Sequence, residues 1–116
     1  MNEMIERLVN PKHSPGRVSA EMSWTDEHGT TLAIYSTRDQ VDEIKAVLGK
    51  KVAEVAGNLS PSTGGTARDV MVLVKIRPRG VDQHDREYAR AERKLAYKVI
   101  NQLEDAGFEV DRWGEL

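Results

Sequence analysis

The sequence predicts an α+β domain, in which a mainly antiparallel sheet carries two helices on one face and so forms a two-layer sandwich. Apolar and polar residues alternate strictly from Arg17 to Trp24, which is the period of a strand with one buried face. Two later segments, residues 41–48 and 88–106, instead repeat their apolar residues at helical spacing. The run Val70–Val74 is apolar on both faces, which is typical of an interior strand.

The length of the chain fits one domain. Its 116 residues can bury a core without covalent staples, and the absence of cysteine excludes disulfides and thiolate metal sites. Two prolines and a glycine in PKHSPG deny residues 11–16 regular structure. The sequence therefore predicts an N-terminal segment and linker over residues 1–16, in which Met4, Ile5 and Leu8 share one side of a short helical turn, and a single domain over residues 17–116.

The first half of the domain is predicted to be a hairpin followed by a helix. The strand from Arg17 runs into the turn TDEHG, where Gly29 can adopt a positive φ, and the chain returns in the strand TTLAIYS. Thr37 and Gln40 have the spacing of a capping box, in which each side chain bonds the other residue's free backbone N–H. The helix that they begin is predicted to end at Gly49.

The second half repeats this order and adds one strand. KKVAEVAGNL alternates as an amphipathic strand, the loop SPSTGGTARD follows, and VMVLVKIR forms the interior strand. A helix over residues 83–106 is predicted, with Asp82 as its N-cap and Gly107 as its stop. The closing stretch FEVDRW alternates as a final strand.

The resulting order is β-β-α-β-β-α-β, and its last six elements resemble the split βαβ arrangement of ferredoxin-like domains. The resemblance is one of element order and carries no functional residues. It implies that TTLAIYS is a central strand with neighbours on both sides. Either the first hairpin opens out to allow this, or the last strand moves to a new edge.

The strongest functional signal is a concentration of positive charge before and within the second helix. Residues 75–98 contain eight Lys or Arg against four Asp or Glu, although the formal net charge of the chain is −2. At helical spacing Arg86, Arg90, Arg93 and Tyr97 fall within one sector. The partner-binding residues predicted from this stripe are Arg77, Arg79, Arg86, Arg90, Arg93, Lys94 and Tyr97. In the alternative, Glu87 and Glu92 pair with these cations and the stripe is a solvated helix face.

The sheet face opposite the helices offers a second candidate surface. Tyr35, Met71, Leu73 and Trp113 are predicted to form an apolar patch there, bordered by cations. A two-layer domain leaves such a face open, which favours burial by a second copy of the chain or by the N-terminal segment. Stacking of nucleic-acid bases is the weaker alternative, because VLVKI contains no aromatic ring.

The loop over residues 58–69 is a third candidate, an anion-binding lip. Its hydroxyls, glycines and one cation can cradle an anion, and the residues concerned are Ser62, Thr63, Gly64, Gly65 and Arg68. The loop lacks the G-x-x-x-x-G-K-[ST] pattern and joins two strands, so the helix dipole of a phosphate site is missing. A mobile hairpin tip is the alternative.

Nothing in the sequence predicts catalysis. His13, His28 and His84 each fall where an exposed polar residue is expected, and no metalloprotease or hydrolase motif occurs. Glu92, close to the apolar stripe of the second helix, is the one carboxylate that burial could activate. We therefore expect a non-enzyme without a cofactor or a metal ion.

The favoured hypothesis is a small binding module that self-associates through its sheet and presents the basic helix to an acidic protein or a nucleic acid. The alternatives are a structural homo-oligomeric subunit, and a small-ligand-binding protein or enzyme that uses the loop over residues 58–69. No segment resembles a signal peptide or reaches the ~20 apolar residues of a membrane span, so a cytoplasmic location without membrane contact is expected.

Overall fold

The computed structural model describes residues 16–57, 70–114 and 116, so the predictions for the N-terminal segment and for the loop over residues 58–69 lie outside the described residues. Its elements are β1 (Arg17–Thr25), β2 (Gly29–Ser36), α1 (Arg38–Leu48) with a 3₁₀ turn (Gly49–Lys51), β3 (Val52–Gly57), β4 (Val70–Lys75), α2 (Tyr88–Asp105) and β5 (Glu109–Arg112). Neither described helix is long and apolar enough to cross a membrane.

The five strands form one mixed sheet in the order β3-β4-β2-β1-β5. Three of its pairings are antiparallel, and the pairing of β1 with β5 is parallel. The predicted α+β class with two helices is therefore confirmed, and β4 is an interior strand as its sequence indicates.

The ferredoxin-like strand order is not the one observed. That order would place β5 directly beside β2, whereas β1 lies between them. The reason is the tight first hairpin, whose register runs without interruption from Ser19 opposite Tyr35 to Thr25 opposite Gly29. Because β1 occupies that edge of β2, the last strand pairs with the outer edge of β1. Of the two arrangements that the sequence left open, the one in which the last strand moves is observed.

The core lies between the sheet and both helices. Opposed residues in the strand register place one apolar side chain after another on the same face of the sheet, where they pack with buried residues of α1 and α2. The fully buried members with large side chains are Val18, Leu32, Ile34, Ile44, Val72, Val74, Ile76, Val99, Ile100 and Leu103. Each such side chain contributes about 1.5–3 kcal/mol of transfer free energy, so this layer holds the helices to the sheet.

The first helix begins and ends as its sequence predicts. Thr37 and Gln40 form the reciprocal capping box, in which the Thr37 N–H donates to Oε1 of Gln40 at 2.9 Å. The helix ends before Gly49, whose φ of +58° suits a residue without a side chain. Ile44 and Leu48, four residues apart, face the sheet.

The second helix begins at Tyr88, five residues later than predicted. Asp82 and Asp85 do not cap a helix. Their carboxylates accept hydrogen bonds from the backbone N–H groups of His84 and Glu87, each at 2.9 Å. Such Asx turns compete with helix formation, so residues 82–87 form two successive turns. The helix is therefore about 27 Å long at ~1.5 Å per residue.

The C-terminus of α2 agrees with the prediction. Gly107 has a φ of +103°, and its N–H donates to the Glu104 carbonyl at 2.9 Å. The N–H of Phe108 reaches back to the Leu103 carbonyl at 3.0 Å, which completes a Schellman motif. This turn sends the chain into β5 beside β1.

The sheet face without helices is less open than predicted. Ala33 and Thr31 are fully buried, and Leu73 is only 3% exposed. Glu21, directly opposite Ala33, accepts a hydrogen bond from the Tyr35 hydroxyl at 2.6 Å. Burial and this hydrogen bond to a carboxylate raise the pKa of Tyr35 to about 12.

Replacing Tyr35 with Phe should reduce the loss in the free energy of unfolding at alkaline pH. A phenol whose pKa is raised on folding stabilises the protein below its ordinary pKa of about 10, and this contribution is lost as the pH rises from about 10 to 12. Urea unfolding at pH 8 and at pH 11 should show a smaller fall in the free energy of unfolding for Tyr35→Phe than for the wild type. Tyr88→Phe is the control and should keep the wild-type fall, and equal falls in all three proteins would contradict the assignment.

Candidate anion-binding cleft

A shallow cleft of about 380 Å³ lies between the segment that follows β4 and one face of α2. The residues that line it are Arg77, Pro78, Arg79, Ala91, Lys94, Leu95 and Lys98. Four of these seven are cations and none is a carboxylate. A concave surface lined by one sign of charge concentrates the field and attracts a ligand of opposite sign, so the cleft suits an anion.

One wall of the cleft is fixed by Arg77. Its guanidinium donates to the carbonyl oxygens of Thr30 at 3.1 Å and Ile76 at 3.3 Å, and also to that of His28. His28 lies in the β1–β2 turn, Thr30 lies at the start of β2, and Ile76 directly follows β4. Gly29, between two of them, has a φ of +70°, which lets the turn present its carbonyls to the arginine. Backbone carbonyls, and no carboxylate among the described residues, therefore hold Arg77 in position.

The other wall is one face of α2. Lys94 and Lys98 are one helical turn apart, and Ala91 and Leu95 lie beside them on the same face. Within the described ranges, no carboxylate lies within ion-pair distance of Lys94, Lys98 or Arg79. All three residues are exposed.

The remaining cations of the predicted stripe lie outside the lining of the cleft. Arg90 is one helical turn before Lys94, at the border of the cleft face, Arg93 is about 100° from Lys94 around the helix, and Arg86 precedes the helix in the second Asx turn; all three are exposed. Glu87 forms an exposed ion pair with Arg90 at 3.5 Å. The structure thus divides the predicted basic stripe into the cleft and a separate exposed group of arginines.

The side chain of Tyr97 makes contacts within its own chain. Its hydroxyl donates to the Leu116 carbonyl at 3.0 Å, and the guanidinium of Arg112 lies 5.4 Å from the centre of its ring. This cation–π contact covers the part of the stripe nearest to β5. Of the residues predicted to bind a partner, Tyr97 is therefore the one that intramolecular contacts enclose.

Three of the four residues predicted to form an oligomer interface are neighbours on one sheet face, where Tyr35 lies directly opposite Met71 and Leu73 is two residues further along β4. Leu73 is almost completely buried within the chain, while Tyr35 and Met71 are half-buried. Trp113, in contrast, is 59% exposed and lies beyond the end of β5. β1 lies between β5 and the two strands that carry the other three residues, so Trp113 is on the far side of β1 from them.

The sequence did not predict a second cavity, of about 420 Å³. It lies beside the outer edge of β1, beyond the residues that pair with β5. Glu21, Met22, Ser23, Trp24 and Gly114 line it. Trp24 was expected on the buried face, and it is 65% exposed. The feature that could have indicated this cavity is the difference in strand length. β1 has nine residues and β5 has four, so β5 cannot cover the whole outer edge of β1.

Among the described residues, Glu92, His84 and His28 lie outside the lining of the cleft. The anion loop (Ser62, Thr63, Gly64, Gly65 and Arg68) lies outside the described residues. Glu92 is half-buried on α2, and His84 is exposed as expected. The His28 side chain is only 14% exposed, and its Nε2 lies 3.2 Å from a carboxylate oxygen of Glu54.

Replacing Arg77 with Lys should destabilise the fold, because one ammonium cannot reproduce the hydrogen bonds that the planar guanidinium makes to three carbonyls. The expected loss is about 1–2 kcal/mol in the free energy of unfolding, measured by urea denaturation. Arg79→Lys, in the same segment, is the matched control and should change stability by less than about 0.5 kcal/mol. Equal effects of the two substitutions would contradict the role of Arg77 as a clamp on the hairpin turn.

Comparisons of the chain with protein-family models, with curated proteins and with solved structures found no match.

Proposed function

We propose that the protein is a small non-catalytic binding module that takes up an acidic partner in the cleft between the Arg77–Arg79 segment and α2. The observation that carries this proposal is the composition of the cleft, in which four cations meet without a lining carboxylate. Mutual repulsion of these cations raises the free energy of the unliganded surface, and a bound anion relieves it.

The cations around the cleft differ in mobility, which suits recognition of an extended polyanion. Arg77 is fixed by three carbonyls, whereas Lys94 and Lys98 are free to adjust to their ligand. A planar guanidinium recognises phosphate or carboxylate by a forked pair of hydrogen bonds, and flexible ammonium groups add non-directional charge. The exposed Arg86, Arg90 and Arg93 extend the positive surface around α2 beyond a single bound group.

A binding function fits the cleft better than catalysis. The described residues of its lining include no histidine, carboxylate or hydroxyl group, so they offer neither a general base nor a nucleophile. The cleft supplies hydrophobic contacts from Ala91 and Leu95 and positive charge from the surrounding cations. Both a nucleic-acid backbone and an acidic protein segment have the chemistry that this surface recognises.

The test is binding of two fluorescent probes, a single-stranded oligonucleotide and a poly-glutamate peptide, followed by anisotropy from 25 to 300 mM salt. We expect saturable binding of at least one probe, with affinity that falls steeply as salt increases. The double variant Lys94→Ala/Lys98→Ala should bind at least about tenfold more weakly and show a shallower salt dependence. The probe that binds more tightly identifies the class of partner.

The matched control is Lys45→Ala/Lys50→Ala, which removes two exposed lysines from α1 and the turn after it and leaves the same net charge as the test variant. It should retain wild-type affinity. Absence of binding to both probes at 25 mM salt, or equal losses in the two double variants, would refute the cleft as the binding site.

A second candidate function is that of a homo-oligomeric subunit, and the free edge of β1 favours it. The carbonyl of Gly16 accepts a hydrogen bond from the N–H of the first residue of β5 at 3.0 Å, and that of Ala20 accepts one from the N–H of Trp113 at 2.9 Å. Backbone groups of alternate residues point to the same side of a strand, so those of Met22 and Trp24 also point to this edge. In the described part of the chain, β5 ends before it reaches them.

This edge can pair with itself. A twofold axis at Ser23 sets Met22 of one copy opposite Trp24 of the other, so that four backbone hydrogen bonds form between two antiparallel strands. Trp24 and Trp113, both exposed, then gain apolar cover. The opposite edge of the sheet, β3, is less suited because a bulge between Val52 and Glu54 interrupts its register.

Sedimentation analysis over 10–300 μM protein should then show a species of twice the 13.0 kDa chain mass. Trp24→Lys places a charge on the edge and should shift the protein to monomer. Val55→Lys, which adds the same charge to the exposed part of β3, is the control and should leave the dimer intact. A wild-type protein that stays at the mass of one chain at 300 μM would exclude this candidate.

A further inference from the structure

One cluster of metal-ligating side chains lies outside the cleft and outside the β1 edge. It consists of Glu27 and His28 in the β1–β2 turn and Glu54 on β3. Nε2 of His28 lies 3.2 Å from Oε1 of Glu54 and 3.9 Å from Oε2 of Glu27. One donor atom from each residue can be chosen so that all three are within 4.8 Å of one another.

His28 is the fixed member of this cluster. Its backbone N–H donates to Oγ1 of Thr25 at 2.9 Å, and its carbonyl accepts a hydrogen bond from Arg77. Its side chain is 14% exposed, whereas those of Glu27 and Glu54 are 76% and 44% exposed. The imidazole is therefore held by the hairpin while the two carboxylates are free to adjust around it.

Two carboxylates converge on a single imidazole nitrogen. A neutral imidazole has at most one proton on Nε2, so it can donate to only one of them. The like charges of two nearby carboxylates repel each other unless a cation lies between them. A metal ion supplies that cation and bonds to all three groups at once.

The spacing of the donor atoms agrees with a tetrahedral site. With metal–ligand bonds of about 2.1 Å, neighbouring ligand atoms are about 3.4 Å apart. The 3.2 Å separation between His28 and Glu54 is close to this value, and rotation of the exposed Glu27 side chain shortens the 3.9 Å separation.

We propose that Glu27, His28 and Glu54 form a binding site for one divalent transition-metal ion of the Zn²⁺ type. The imidazole ligand favours such ions over Mg²⁺ and Ca²⁺, which prefer sites built from oxygen alone. Three protein ligands leave a fourth position for water or for a group from a bound partner. The ion joins the β1–β2 turn to the edge strand β3 across the end of β4.

The test is isothermal titration of the metal-free protein with Zn²⁺, alongside thermal unfolding with and without the ion. We expect one bound ion per chain and a higher melting temperature, with no comparable effect of Mg²⁺ at the same concentration. Lowering the pH from 7.5 to 5.5 should weaken the binding, because protons compete for the imidazole. No saturable binding of Zn²⁺ at pH 7.5 would overturn the proposal.

Variants of the ligands decide where the ion binds. His28→Ala and Glu54→Gln should each weaken the affinity for Zn²⁺ at least about tenfold. Glu54→Gln changes an exposed side chain without changing its shape, so its fold should be intact, and circular dichroism without metal checks this. The chain has three histidines, and His13→Ala and His84→Ala are the matched controls that should retain wild-type affinity. Undiminished binding by Glu54→Gln and His28→Ala would equally overturn the site.

Discussion

The antiparallel pairing of β2 with β1 on one side and β4 on the other determines where every candidate surface of this protein lies. The two registers bring the β1–β2 turn next to the end of β4, and there Arg77 binds the carbonyls of that turn. The same pairing leaves β1 to receive β5 on its outer edge. The cleft, the metal-ligating cluster and the unpaired half of β1 are all consequences of this central arrangement.

Features set by near neighbours in sequence could be predicted. The two strands of the first hairpin, the capping box at Thr37 and the glycine stop after α2 each depend on residues a few positions apart, and all are present. The start of α2 was predicted wrongly for a local reason too. An aspartate satisfies either a helix N-terminus or a turn, and at Asp82 and Asp85 the turn prevails.

Features set by distant contacts could not be predicted. The run of cations in the sequence indicated a basic surface. The division of that surface into separate parts depends on two contacts, one between Arg77 and residues nearly fifty positions away and one between Tyr97 and Leu116. The cluster around His28 joins residues 26 positions apart across a strand. Hydrophobic periodicity contains no information about such pairs, which depend on strand order.

The parallel pairing of β5 with β1 bears on how the chain reaches this structure. Arg17 and Glu109 are 92 positions apart, and their side chains meet at 2.8 Å. Contacts of such sequence separation carry a large loop-closure entropy and form slowly. During synthesis β1 can complete its hairpin early, yet its outer edge has no β5 to pair with until residues 109–112 have been made. The nascent chain therefore passes through a stage with a longer exposed edge than the finished fold, in which premature association with other chains competes with folding.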